Sequence, residues 1–194
     1  TADNVVFDMD GCASFELMHE GNKHLIQLNV PGRHNVANAM AATAICLSMG
    51  AQMEDIKRGL LDMSGVKGRL NIHHLTDNIR LIDDTYNANV DSTKAAIDLL
   101  ASFPGRRILI MGDMAELGQQ ARMYHEEVGL HAKDKGLDNL LSLGVLSQST
   151  SSVFNGQGCH FSDKDALVAH LKALLANDER NITLLVKGSR SSKM

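Results

Sequence analysis

The chain lacks most of the features that mark a membrane, secreted or metal-built protein. None of its apolar runs approaches the ~20 residues that a membrane-spanning helix needs. A hydrophobic content of 44% beside 22% charged residues is that of an ordinary soluble protein. With a formal net charge of -4, it has no basic excess of the kind a dedicated nucleic-acid binder shows, which leaves only local basic loops to attract small anions. Cysteine is sparse: Cys12, Cys46 and Cys159 are odd in number and far apart, so reduced cytoplasmic thiols are expected rather than a disulfide framework. The nine histidines never fall in an HxxxH or HExxH arrangement, and His73 and His74 would point to opposite sides of a strand, so no built-in zinc site is expected. There is no GxxxxGK phosphate loop ending in Ser or Thr and no GxGxxG after a strand, so neither NTP hydrolysis nor dinucleotide binding follows from a motif of this chain alone. No repeat or low-complexity segment breaks the pattern.

What is present has two textures. At 194 residues the chain can hold one domain and part of another. It opens on Thr1, shows no signal-peptide pattern and stops at Met194 as a new helix begins, so both ends are expected to be cut from something longer. Residues 5–30 alternate in "VVFDMD", "SFELMHE" and "HLIQLNV", which predicts antiparallel strands with turns at Asp10-Gly11 and Gly21-Asn22. Two helices follow: "RHNVANAMAATAICLSMGA", ending at Gly50, and "MEDIKRGLLDM". From Asn78 the order becomes strand, loop, helix, repeated. The strands are "IRLIDD", "RRILIMGD", "DNLLSLG" and "NITLLVKG", with a short one near "CHFS". That alternation predicts an α/β fold with a mostly parallel, doubly wound sheet, whose ligands sit at the carboxyl ends of the strands. The domain boundary is placed after residue 74, giving 1–74 and 75–194, with residues 72–78 as a connector able to act as a hinge.

Polar residues crowd those strand ends. In "DDTYNANVDS", Asp83 and Asp84 close a strand and alternation sends one inward; a carboxylate there suits ribose hydroxyls, and Tyr86 suits stacking on a base. Asn87 and Asn89 are turn formers, and Asp91 or Ser92 can cap the next helix. "MGDMAELG" sets Asp113 and Glu116 near a helix start, where acids also favour the helix dipole. "VKGSRSSKM" places Lys187, Ser189, Arg190, Ser191 and Ser192 after the last strand, an arrangement suited to a carboxylate or phosphate or to a solvated basic loop. In the first part, Asn35 and Asn38 lie three apart at a helix start, so their amides share a face and can present a donor beside an acceptor to an adenine edge; capping by one of them is the plainer alternative. Arg69 follows Gly68 in a loop suited to an anion or simply to solvent.

Taken together and in order, "GRHNVANAMAA", "KGRL", "DDTYNANVDS", "MGDMAELG" and "VKGSRSSKM" resemble the motifs of the Mur ligases of peptidoglycan synthesis, with the last three pointing to the dipeptide-adding member. The resemblance implies that residues 1–74 are the end of a central ATPase domain and 75–194 most of a Rossmann-like carboxyl-terminal domain. It implies ATP and magnesium (Mg2+) as cofactors, with UDP-N-acetylmuramoyl-tripeptide and D-alanyl-D-alanine as partners in a cytoplasmic reaction through an acyl phosphate. On the same basis Asn35 and Asn38 would face adenine, Arg69 the phosphates or ribose, Asp84 the ribose and Tyr86 the nucleotide. Asn87, Asn89, Lys187, Ser189, Arg190 and Ser192 would belong to the peptide substrates. The family's phosphate loop, metal ligands and carbamylated lysine would lie upstream of Thr1, so no residue here is assigned as a general acid or base and the fragment alone is expected to be inactive. Val90 stands where many relatives have proline. The rival readings are a related ligase, such as a folate polyglutamate synthetase, and a noncatalytic binding module of the same fold.

Overall fold

The structure is a computed structural model, and it describes residues 1–63 and 65–194. The chain forms two compact units, Thr1–Val66 and Lys67–Met194.

In the first unit, β1 (Ala2–Phe7), β2 (Cys12–His19) and β3 (Asn22–Pro31) form an antiparallel sheet in that order. Period-2 alternation buries Ala13, Phe15 and Leu17 of β2 and Ile26, Leu28 and Val30 of β3 on one face. The second turn sits one residue earlier than expected. His19 pairs with Asn22, and Glu20 and Gly21 take φ of 48° and 82°, the left-handed pair that matches the twist of a tight hairpin. Onto the buried face pack α1 (His34–Ser48), through Val36, Ala39 and Thr43, and α2 (Met53–Leu61), through Ile56 and Leu60. These positions recur at the three- and four-residue spacing that lines one side of a helix.

The second unit is built on a six-stranded sheet. Its strands are β4 (Asn71–His74), β5 (Ile79–Asp84), β6 (Arg106–Gly112), β7 (Asn139–Leu143), β8 (Gly158–Phe161) and β9 (Ile182–Lys187), in the spatial order β4-β5-β9-β6-β7-β8. All neighbours are parallel except β4 and β5. The helices are α3 (Val90–Ser102), α4 (Ala121–Asp134), α5 (Gln148–Val153) and α6 (Lys164–Leu175). Successive residues of the strands face opposite cores. Leu109, Met111, Leu140 and Leu185 meet α3 and α4, while Ile108, Ile110, Leu141 and Leu184 meet α6. The sheet is therefore covered on both sides, which is the doubly wound α/β architecture expected from the strand-helix alternation.

The units divide upstream of the expected boundary. Asn71–His74 hydrogen-bonds as an edge strand to β5, with Asn71 opposite Asp83 and His74 opposite Arg80, so this stretch belongs to the second sheet and is no free connector. The last strand, β9, inserts between β5 and β6, so the end of the chain returns to the middle of the sheet. That insertion brings the "VKGSRSS" loop beside the ends of both β5 and β6.

Candidate functional site

At the carboxyl end of β5, alternation turns Asp83 outward and Asp84 inward. Asp84 lies opposite Lys187 in the β5-β9 register, and the two form an ion pair at 2.5 Å with Lys187 2% and Asp84 8% exposed. A lysine ammonium at that depth requires partners, because an isolated buried charge is strongly destabilising. Its Nζ also donates to the Asn87 carbonyl at 3.0 Å, and the other Asp84 oxygen accepts from the Leu70 backbone N–H at 3.3 Å. The pair thus ties together two strand ends, the loop after β5 and the segment leading into β4.

The loop between β5 and α3 is set by its own polar side chains. Asp83 Oδ1 accepts from the backbone N–H and hydroxyl of Thr85, and Asn87 Oδ1 accepts from the Ala88 N–H. Asn89, rather than Asp91 or Ser92, caps α3: its side chain accepts from Ser92 N at 2.8 Å while Ser92 Oγ accepts from Asn89 N at 3.2 Å. Val90 is consequently the first helical residue, whose N–H has no partner within the helix, so valine and proline both suit it. The loop also leaves Tyr86 exposed, with the Arg69 guanidinium 4.5 Å from the centre of its ring. Two residues singled out separately in the sequence are here one stacked pair.

A second cluster sits at the ends of β6, β7 and β9. The Asp113 carboxylate accepts three backbone N–H groups from the loop after β7: Val145 at 3.1 Å, Leu146 at 3.0 Å and Ser147 at 2.7 Å. Its carbonyl accepts from both the N–H (2.9 Å) and the hydroxyl (2.7 Å) of Ser189, which is buried. Ser192 turns back on the Ser189 carbonyl through its N–H and hydroxyl. Next to Asp113, Met114 N donates to His125 Nε2 at 3.0 Å, so the proton resides on Nδ1, which donates to the Ala121 carbonyl. Burial pushes the His125 imidazole below its ordinary pKa against the opposing pull of that carbonyl and of the Asp113 charge. Arg190 is exposed and makes no ion pair among the described residues.

In the first unit, Asn35 and Asn38 do share one face of α1. Asn35 Nδ2 donates to the Pro31 carbonyl at 2.7 Å, and Asn38 Nδ2 donates to Asn35 Oδ1 at 2.9 Å. Asn35 is thereby held to the end of β3, and the exposed Asn38 keeps its carbonyl oxygen and one N–H available side by side. Among the described residues, no group of three or more His, Cys, Asp or Glu is arranged to hold a metal ion. No helix of the described residues is long and apolar enough to cross a membrane.

The family model described as "Mur ligase, glutamate ligase domain" matches residues 68–190, well over half of the chain. The chain belongs to the Mur ligase family. Over 169 residues it is 49% identical to the UDP-N-acetylmuramoyl-tripeptide--D-alanyl-D-alanine ligase of Escherichia coli, covering 87% of this chain and 37% of that enzyme. To the enzyme of the same name from Haemophilus influenzae it is 43% identical over 185 residues, covering 94% and 40%. The crystal structure of MurF from Acinetobacter baumannii superposes with a TM-score of 0.91 at 31% identity, over 100% of this chain and 42% of that one. The chain therefore spans about two fifths of the length of these relatives.

Within this Mur ligase chain, the strand-end surface separates two kinds of candidate residue. Arg69, Tyr86, Asn87 and Arg190 are exposed, whereas Asp84, Lys187 and Ser189 are buried and bonded to their neighbours. The anchoring roles of Asp113 and His125 could not be read from the sequence, because their partners are backbone groups. One local signal existed. Gly144 immediately follows β7 with φ of +126°, and a Cβ there would come within 2.4 Å of Asp113 Oδ1, so only glycine lets the carboxylate reach the next three N–H groups.

Proposed function

We propose that this chain is the part of an ATP-dependent ligase that faces adenine and the incoming amine, in an enzyme joining D-alanyl-D-alanine to UDP-N-acetylmuramoyl-tripeptide during peptidoglycan precursor synthesis in the cytoplasm. The observation that carries the reading is the strand-end surface itself. An open α/β sheet offers ligands the carboxyl ends of its strands, and there the loop after β9 exposes Arg190, which makes no ion pair among the described residues, while Ser189 and Ser192 are engaged within the loop and with Asp113. Identities of 49% and 43% to ligases of that name support the choice of substrates.

In the reaction so assigned, a carboxylate oxygen of the tripeptide takes the γ-phosphoryl group of ATP and ADP leaves. The amine of the dipeptide then attacks the acyl carbon, inorganic phosphate departs with the electrons of the broken C–O bond, and the amine proton is lost to solvent or base. The residues present fit ATP in part. Within the first unit Asn38, oriented by Asn35, offers the donor and acceptor that an adenine edge needs; within the second, taken by itself, the Arg69-Tyr86 stack offers a cation and a π-face suited to phosphate or ribose. Among the described residues no group of three or more His, Cys, Asp or Glu is placed to hold magnesium. Asp84 and Lys187 act as positioning residues rather than direct ligands, because each already satisfies the other. Asn89 serves the helix cap, leaving Asn87 and Arg190 as the groups facing peptide substrate.

A charge-supported hydrogen bond to a carboxylate contributes about 1.5–3 kcal/mol, equivalent to roughly 10-fold to 150-fold in affinity. In the full-length protein, Arg190→Ala should raise the KM for D-alanyl-D-alanine by that factor and leave the KM for ATP nearly unchanged. The reverse pattern, with ATP affected and the dipeptide untouched, would move this loop to the nucleotide side.

A further inference from the structure

Asp113 makes more use of its polar atoms than any tuning of a helix dipole requires. It follows β6, which pairs with β7 on one side and β9 on the other. Its carboxylate holds residues 145–147 of the loop after β7, and its main-chain carbonyl holds Ser189 of the loop after β9 through two hydrogen bonds. A side chain and a carbonyl of one residue thus fix loops from both flanking strands. The next peptide is fixed as well, by Met114 N donating to buried His125. Such convergence costs conformational freedom in three segments at once, and it is placed at the edge where an open sheet displays its ligands.

We propose that Asp113 is a positioning residue for the amine substrate: its carbonyl latches Ser189, its carboxylate braces that latch against the loop after β7, and Arg190 is thereby held where it meets the carboxylate of the incoming dipeptide. The inference rests on the functional reading above and adds to it the residue that sets the geometry of Arg190. Asp113 itself touches no substrate. With three backbone N–H groups satisfied by its carboxylate, replacement by asparagine removes the charge and presents an N–H to donors, so the bracing loop must move. Ser189→Ala, by contrast, leaves the brace intact and removes the hydroxyl half of the latch together with the contact to the Ser191 hydroxyl.

The test uses the full-length protein with Asp113→Asn, Ser189→Ala and the double variant, reading steady-state kinetics for ATP and D-alanyl-D-alanine alongside thermal melting. Asp113→Asn should raise the KM for the dipeptide roughly 10-fold or more while the KM for ATP and the saturated kcat stay within about twofold. Ser189→Ala should shift the same parameter in the same direction by a smaller factor without lowering the melting temperature. The double variant should be little worse than Asp113→Asn, because both act through one latch. A folded Asp113→Asn protein with an unchanged dipeptide KM and only a lower melting temperature overturns the inference alone. If Asp113→Asn does not fold, Ser189→Ala decides, and an unchanged dipeptide KM there counts against the latch. A wild-type protein that forms no product from the dipeptide overturns the functional reading and this inference with it.

Discussion

Lys187 shows how far a single residue can mislead when read by type. A lysine among serines after a strand suggests an exposed anion binder, yet this one is almost fully buried and paired with Asp84. The sequence carries both residues at strand ends, but only the insertion of β9 beside β5 brings them into register. Local alternation did indicate that one of Asp83 and Asp84 points inward; it could not name the partner, which lies 103 residues away. Breaking a buried pair from one side leaves the other charge uncompensated, at about 3–5 kcal/mol, whereas replacing both members by apolar groups is often close to neutral. Lys187→Met should therefore lower unfolding stability by that order, and adding Asp84→Leu should recover most of the loss. Urea unfolding of the two single variants and the double one measures the coupling. Simple addition of the two costs would show that the pair does not hold the strand ends together.

Among the elements, the long periodic ones were legible and the short ones were not. α1, α3, α4 and α6 announce themselves by apolar spacing, and β5, β6, β7 and β9 by apolar runs that stop at polar loops. β4 is only four residues, half of it exposed histidine, and reads as a linker until it pairs with β5. α5, "QSTSSV", is too short and too rich in Ser and Thr to show helical preference; packing against α4 and β8 makes it helical. The joint between α4 and the end of β6 also carries a pH dependence. His125 is buried neutral, with its pKa below the ordinary 6.5, so the unfolded chain binds a proton more readily than the folded one between those two values. Its contribution to stability is complete above 6.5 and is lost as the pH falls through the folded value. Melting temperatures across that range should fall more steeply for the native protein than for His125→Gln, whose amide oxygen can still accept from Met114 N. Parallel curves for the two proteins would assign the acid sensitivity elsewhere.

At the scale of the whole molecule, the candidate residues divide between the two units: Asn35 and Asn38 belong to Thr1–Val66, and Arg69, Tyr86 and the strand-end loops to Lys67–Met194. The order of the motifs along the chain was enough to indicate the family, because each motif marks a loop at a strand or helix end and the fold fixes which loops share an edge. The same order could not distinguish residues that face solvent from those that anchor the loops, since Asp84, Lys187 and Ser189 are as polar and as close to strand ends in the sequence as Arg190, and only burial separates them. The exposed set is proposed to serve a ligase that consumes ATP to add D-alanyl-D-alanine. The most direct measurement supplies the full-length protein with ATP, magnesium, UDP-N-acetylmuramoyl-tripeptide and D-alanyl-D-alanine, and follows the nucleotide-linked product by mass together with phosphate release. The expected product is extended by one dipeptide with one phosphate released per bond, dependent on all three substrates. Phosphate release that is indifferent to the dipeptide, or extension by glutamate in its place, would contradict it.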